Sequence, residues 1–337
     1  MLLDLTREQI LAFRRRVSAL DERLPRGARS LRRAAWVGLQ DSVPRAALHS
    51  INARVEGAHP ASWEDPSLVQ VWGPRFCTYV VPAQDRALFT LGRLPDDPGV
   101  RARYEEIAAR LHAYLDGRAM ADAEPARALG VNSNLFRYAA PTGTVLIRWE
   151  GARAPTIWTV PRPDVDPLAA RRELARRYLH VFGSATPASF ATWAGIGPIE
   201  ADAAFDGLKR SLTPVRTPIG EAWILTRDEP LLRADSGPAA PARLLPSGDT
   251  YYLLQGADRE LLILDPQRRS ELWTSRVWPG AVLVTGEIVG TWRRAQAKVT
   301  VQPWRRLSRA ARDAVESEAA RLPVPGVEGQ ISVGWDD

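Results

Sequence analysis

The chain has 337 residues, 45% hydrophobic and 25% charged, with a formal net charge of +6, which suits two or three domains with sizeable cores. Its single cysteine, Cys77, excludes an intramolecular disulfide and a cysteine-built zinc cluster, and points to a reducing compartment, the cytoplasm. No run of about 18 apolar residues offers a membrane span, and the N-terminus enters a charged amphipathic stretch without the apolar centre of a secretion signal.

In chain order, Thr6-Arg7-Glu8-Gln9 reads as a capping box. Leu5, Ile10, Phe13 and Val17 then carry a helix to Leu20. Ser30 is expected to cap a second helix running through Leu39. Asp41 or Ser42 is expected to cap a third, with Pro44 in its first turn and Gly57 at its end. The stretch Phe76 to Val81 reads as a strand, and Pro82-Ala83-Gln84-Asp85 opens another helix. Helices followed by a strand pair is the order of a winged helix.

Pro95 to Gly99 is then a loop, and Arg101 to Leu115 a polar helix. Gly143 to Trp149 and Pro155 to Val160 form a hairpin around Gly151. Asp166 starts a helix to Phe182, with Leu168, Leu174, Tyr178 and Leu179 on its apolar side. Thr186-Pro187 caps a short helix that carries Phe190 and Trp193 and stops at Gly195. Pro198 opens a longer one with Ala201, Ala204, Phe205 and Leu208 inward. Strands from Thr213 to Thr217 and Ala222 to Thr226 meet at Pro218-Ile219-Gly220. Short helix, glycine turn, second helix and hairpin make a helix-turn-helix with its wing. A plain helical hairpin beside a ribbon, or a winged helix that docks protein, has the same pattern.

Ala234 to Pro241 is the clearest linker. Beyond it Glu260 to Leu264, Ala281 to Val284, Ile288 to Trp292 and Lys298 to Gln302 alternate like strands, with a turn at Thr285-Gly286-Glu287. A final helix spans Ser308 to Leu322, and the tail after Pro323 is expected to be extended and partly mobile. The expected division is 1–95, 96–165, 166–233 and 234–337. Of the 45 basic residues only Lys209 and Lys298 are lysines. Guanidinium forks suit phosphates, and GC-rich codon usage would give the same bias; charge alone does not separate the two.

Several of these segments resemble one family. Trp72-Gly73-Pro74-Arg75 running into Tyr79 to Asp85 is similar to its first wing and following helix. Phe182 to Trp193 resembles its second helix-turn-helix. Arg243-Leu244-Leu245-Pro246, Leu264-Asp265-Pro266 and Val289 to Arg294 resemble its C-terminal part. The family is the bacterial winged-helix DNA glycosylases of the azinomycin-resistance type. The resemblance implies a mainly α chain with small sheets (α+β). Three tandem winged helix-turn-helix units would form a C shape around a basic channel, closed by a C-terminal β-rich module. It implies hydrolysis of the N-glycosidic bond of alkylated purines in double-stranded DNA, in some members unhooking interstrand crosslinks.

The family's catalytic motif is a glutamine, an apolar residue, then glutamine or aspartate. Gly38-Leu39-Gln40-Asp41-Ser42-Val43-Pro44 matches it at Gln40, with Asp41 in the apolar place and Ser42 in the second polar one. A purine alkylated at N7 or N3 is cationic and leaves without strong acid assistance. The enzyme must then stabilise an oxocarbenium-like sugar and place a water. Asp41 is assigned to charge stabilisation and base action, Gln40 and Ser42 to positioning water or phosphate. The plain alternative is a helix-connecting turn with Asp41 and Ser42 as caps.

Candidate DNA contacts are Arg45, His49, Arg75, Arg293 and Arg294, the last two beside Trp292; Arg305 and Arg306 beside Trp304 repeat the pattern. The plain alternatives are a structural histidine, a surface salt bridge for Arg75, and a buried Trp292 with solvated arginines. His59, His112 and His180 lack ligand spacing, so neither metal nor other cofactor is expected. No nucleophile elbow, phosphate loop or dinucleotide fingerprint occurs. No lysine lies near the motif, so no lyase chemistry is expected. The sequence therefore reads as a monomeric, monofunctional, cytoplasmic DNA glycosylase, nucleoid-associated when on DNA. The alternative is a non-catalytic winged-helix DNA-binding protein, a regulator or lesion sensor.

Overall fold

The computed structural model describes residues 2–151, 153–235, 237–327 and 329–336. Ser236, inside the expected linker, lies outside the described residues. Five of the longer helices begin where side-chain caps satisfy exposed backbone donors. Thr6 and Gln9 form a reciprocal box ahead of Arg7–Val17, and Thr186 and Ser189 do the same for Pro187–Ala194. Asp97, Asp166 and Ser308 accept from Val100, Ala169 and Ala311 to start Pro98–Leu115, Pro167–Phe182 and Arg309–Ala320.

The chain is α+β, with four sheets among the described residues. Three are small and three-stranded. Leu39–Gln40 and Leu68–Trp72 flank Thr78–Pro82 beside Ala28–Ala34 and Ala46–Arg54. Met120–Ala121 and Val145–Arg148 flank Thr156–Thr159 beside Pro98–Leu115. Leu212–Thr217 and Gly220–Leu225 form a hairpin beside Pro187–Ala194 and Pro198–Leu208. Its third strand is Leu3–Asp4, paired in parallel with the hairpin, Leu3 opposite Val215. The first helix follows that strand, packing Ile10 and Phe13 with Val215, Ile224 and Leu232. Residues 3–17 therefore pack with the 166–233 segment, while Leu11 also joins the core that holds Leu20, Val37 and Phe89.

The fourth sheet joins Ala242–Leu245, Gly280–Val284, Glu287–Ala295, Lys298–Pro303 and Ser332–Trp335 in that order. Arg309–Ala320 covers it through Val315 and Ala319. A single apolar core runs from Leu20, Val37 and Phe89 through Tyr178, Phe190 and Trp193 to Tyr252 and Leu283. The segments are thus welded, not strung on linkers.

Five expectations need correction. The second helix starts at Ala28 and ends at Ala34, with Ser30 inside it. The chain turns at Gly38, whose φ of +81° is left-handed. The third helix is only Ala46–Arg54, because Arg45 at φ +66° interrupts its start. Asp258–Leu262 is a helix where a strand was expected; Leu261, Leu262 and Ile263 are all buried, so no alternation exists to face a sheet. Leu168, expected inward, is exposed. The tail is held: Ser332–Trp335 pairs with Lys298–Pro303, and the Trp335 indole donates to Glu316 at 2.9 Å.

Candidate functional site

Gly38 sets the site's geometry. A Cβ there would meet the Tyr79 ring at 2.9 Å and Phe89 at 3.1 Å, so only glycine lets the chain turn against these buried aromatics. Leu39 and Gln40 then pair with Val80 and Tyr79, and the Asp41 amide donates to the Thr78 carbonyl at 2.8 Å. Extended chain alternates its side chains between faces. Leu39 and Asp41 point inward, each 1% exposed, whereas Gln40 is half-buried and Ser42 exposed. The motif's two polar positions share one face, and Asp41 occupies the inward place that an apolar residue would fill.

That placement changes the reading of Asp41. Its Oδ1 accepts from the Ala47 amide at 3.0 Å and its Oδ2 from Gln70 Nε2 at 2.8 Å. Gln70 Oε1 in turn accepts from the Trp149 amide at 2.7 Å. Burial pushes the carboxyl up to about 7, against the pull of the Ala47 amide, Arg45 and Gln70. Both partners are donors, so the geometry matches the ionised form while burial favours the neutral one. Asp41 braces the corner from inside, its side chain reaching six residues ahead to the first turn of a helix whose N-cap residue is Arg45.

Gln40 is aimed by its neighbours. Its Oε1 accepts from the Arg75 guanidinium at 2.9 Å. A guanidinium only donates, so the amide NH2 is turned away and left to donate elsewhere. Arg75 sits in a turn where both it and Phe76 have left-handed backbone, φ +54° and +58°, a strain that surrounding structure must sustain. Gly195, the turn glycine of the 187–208 helix pair, does so: a Cβ there would lie 2.9 Å from Arg75 N and Cα. Gly248 approaches from the other side, where a Cβ would lie 3.3 Å from the Gln40 amide nitrogen.

The Gly248 loop is itself clamped. Arg54 forks onto Asp249 at 2.7 and 2.8 Å, and the Ser50 hydroxyl donates to the same carboxylate at 2.7 Å. Arg54 and Asp249 are 2% and 1% exposed, so each charge depends on the other. Gln70, Arg54, Asp249 and Gly248 escaped the sequence reading, and Gly195 figures there only as a helix stop. Their partners lie far along the chain, and only the left-handed tendency of glycine hinted at any of them.

The remaining candidates surround this corner. Arg45 stacks on Trp63, its guanidinium carbon 4.1 Å from the ring centroid, with Arg148 on the same ring at 5.1 Å. Ser42 lines a cavity of about 470 Å3 together with Trp72, Trp149, Arg137, Asn134 and Asp122. Asp122 is the carboxylate on that cavity, and burial raises its pKa. Val43 and Pro44 line another cavity, of about 250 Å3, which gathers His49, Arg293 and Arg294. Arg75 braces Gln40 through the hydrogen bond to its Oε1. Trp292 is buried, its indole N–H donating to the Leu245 carbonyl at 2.8 Å, as the plain alternative has it. Arg305 and Arg306 are exposed beside half-buried Trp304, and neither lines the two cavities flanking the corner. A further cavity, of about 480 Å3, lies between the 184–192 and 217–222 stretches and residues 255–258.

Over 167 residues the chain is 29% identical to the interstrand DNA cross-link repair glycosylase of Streptomyces sahachiroi, a match covering 48% of this chain and 43% of that relative. The solved structure of the Streptomyces sahachiroi DNA glycosylase AlkZ shares the fold, with a TM-score of 0.79 and 20% identity over 99% of this chain and 100% of that one. Residues 31–323 match the family described as DNA glycosylase AlkZ-like, and the chain belongs to that family.

Proposed function

We propose that this protein is a monofunctional DNA glycosylase that hydrolyses the N-glycosidic bond of alkylated purines in duplex DNA, crosslinked purines included. It acts as a monomer, in the cytoplasm and on nucleoid DNA. The observation that carries the reading is the Gln40 amide. Arg75 holds its oxygen, leaving its NH2 to donate on the side that Gly248 approaches, two residues along the chain from exposed Ser42. The three small sheets with their helices serve as winged-helix units that face the duplex, and arginines supply the charge for its phosphates.

In this reading the Gln40 NH2 pins a phosphate oxygen next to the damaged nucleotide, and the Ser42 hydroxyl accepts from the attacking water. The bond from C1′ to the purine nitrogen breaks, and its electron pair neutralises the cationic base, which departs neutral. Water adds at C1′ and gives its proton to solvent. Asp122, on the same cavity as Ser42, offsets positive charge building on the sugar. Asp41 acts through the corner it braces. Lys209 and Lys298, the two lysines, lie outside the motif, so no Schiff base forms and strand cleavage does not follow.

The inward carboxylate and the serine at the second motif position favour one other reading, a lesion sensor that binds without cutting. A duplex carrying a single N7-methylguanine decides between them. The glycosylase releases free 7-methylguanine and leaves an alkali-labile site, and Gln40→Ala slows release. Tight duplex binding with no base release overturns the enzyme.

A further inference from the structure

The cavity behind Val43 and Pro44 has a composition of its own. One wall comes from the 43–49 stretch and the other from the β module, with Trp278, Pro279 and Trp292 as its flat surfaces. Its volume of about 250 Å3 is below the roughly 300–1,000 Å3 of drug-sized sites and suits a single heterocycle. His49 lines it and is 4% exposed, yet neither of its ring nitrogens has a hydrogen-bond partner. Buried polar groups are nearly always paired, and an unpaired one costs about 1–3 kcal/mol. Among the described residues the protein does not use this imidazole; something that enters the cavity can.

The state of the ring narrows what enters. Burial, with Arg294 second, pushes His49 down to about 3, so the ring is neutral, one nitrogen donating and the other accepting. Trp292 stands edge-on to it, ring centroids 6.2 Å apart, and has already used its own N–H on Leu245. Gly280 admits that indole, since a Cβ there would collide with Trp292 Nε1. No carboxylate lines the cavity, so nothing there attracts an amine, and Arg293 and Arg294 line it with positive charge. Flat apolar walls, one donor–acceptor edge and guanidinium groups match a purine ring with a phosphate attached to its sugar.

We propose that the His49 cavity is a base pocket, in which the imidazole reads the edge of an unpaired purine and Arg293 and Arg294 take the adjoining phosphate. The choice of ligand rests on the glycosylase reading. Two sources present this chemistry: a nucleotide swung out of the duplex, and the free base after release.

Calorimetric titration with free 3-methyladenine, and the fluorescence of a duplex carrying one 2-aminopurine, test the pocket and its source. Wild type binds the free base. His49→Phe keeps a ring but loses both nitrogens and weakens that binding at least tenfold. His49→Gln, with a donor and an acceptor, retains most of it. All three give the same far-ultraviolet circular dichroism, so the losses are read on folded protein. Brightening of 2-aminopurine in wild type but not in His49→Phe assigns the pocket to the swung-out nucleotide; free-base binding without brightening assigns it to the product. Should His49→Phe fail to fold, Val43→Trp fills the cavity and gives the same loss. The pocket is refuted if folded His49→Phe binds and brightens like wild type, or if wild type does neither. Base release from N7-methylguanine duplex is scored separately: release with neither free-base binding nor brightening sinks the pocket alone, and either of those signals without release sinks the glycosylase alone.

Discussion

The 166–226 stretch and the Gly38–Arg54 corner are built by different physics. In the first, each element is closed by its near neighbours: Asp166 caps its own helix, Thr186 and Ser189 cap each other, and Gly195 supplies the left-handed stop. In the second, almost nothing is local. Gln40 is held by Arg75, Asp41 by Gln70, and the helix after them is pinned by Asp249, 195 residues from Arg54. Local capping makes a scaffold that forms early and tolerates change. Long-range clamping makes a corner that exists only when the whole chain is folded, which is how a buried carboxylate and a strained turn can be sustained there.

The largest test of this difference is the Arg54–Asp249 clamp. Asp249→Ala leaves Arg54 buried and unpaired and should cost about 3–5 kcal/mol in urea unfolding. Thr186→Ala should cost about 1 kcal/mol. Near-equal losses would erase the distinction. Next comes Asp41. The folded carboxyl keeps its proton up to about 7, while an unfolded one releases it near 3.9. The stability it contributes is full below about pH 4 and lost as pH rises through 7, on the order of 4 kcal/mol. Asp41→Asn cannot titrate, so its melting temperature should fall less than that of wild type across this range. Parallel curves would mean the carboxyl is not buried as described.

Smaller again is Gly195→Ala. A non-glycine left-handed residue costs about 1–3 kcal/mol, and Gly117→Ala, at a similar φ with open space around it, measures that strain alone. Gly195→Ala should lose more, because its Cβ meets the Arg75 backbone, and it should slow base release through Gln40. Gly117→Ala should release base at the wild-type rate. Equal effects of the two would mean that the helix pair does not support the catalytic turn.

The same contrast explains what could be read from residues alone. The 166–226 elements stand within a residue or two of expectation, since caps, prolines and glycines act over three or four positions. Position 40 was legible only as one glutamine of a motif. That Leu39–Gln40 is a strand depends on Tyr79 and Val80 offering an edge, and no periodicity exists in two residues. Whether Asp41 faces in or out turns on that strand's register, which one residue of slip reverses. The helix at Asp258–Leu262 was missed for a related reason: a short apolar run has no period of its own, and Arg7, from the other end of the chain, satisfies the Leu261 and Leu262 carbonyls.

The account stands on the Gln40 amide as the group presented to the damaged nucleotide. The direct measurement is single-turnover release of 7-methylguanine from a duplex by wild type, Gln40→Ala and Arg75→Met, with duplex affinity determined for each. The account predicts that Gln40→Ala slows release by about 10²-fold or more at unchanged affinity, as loss of an oriented catalytic donor does, with Arg75→Met in between. Release by Gln40→Ala at the wild-type rate would contradict it.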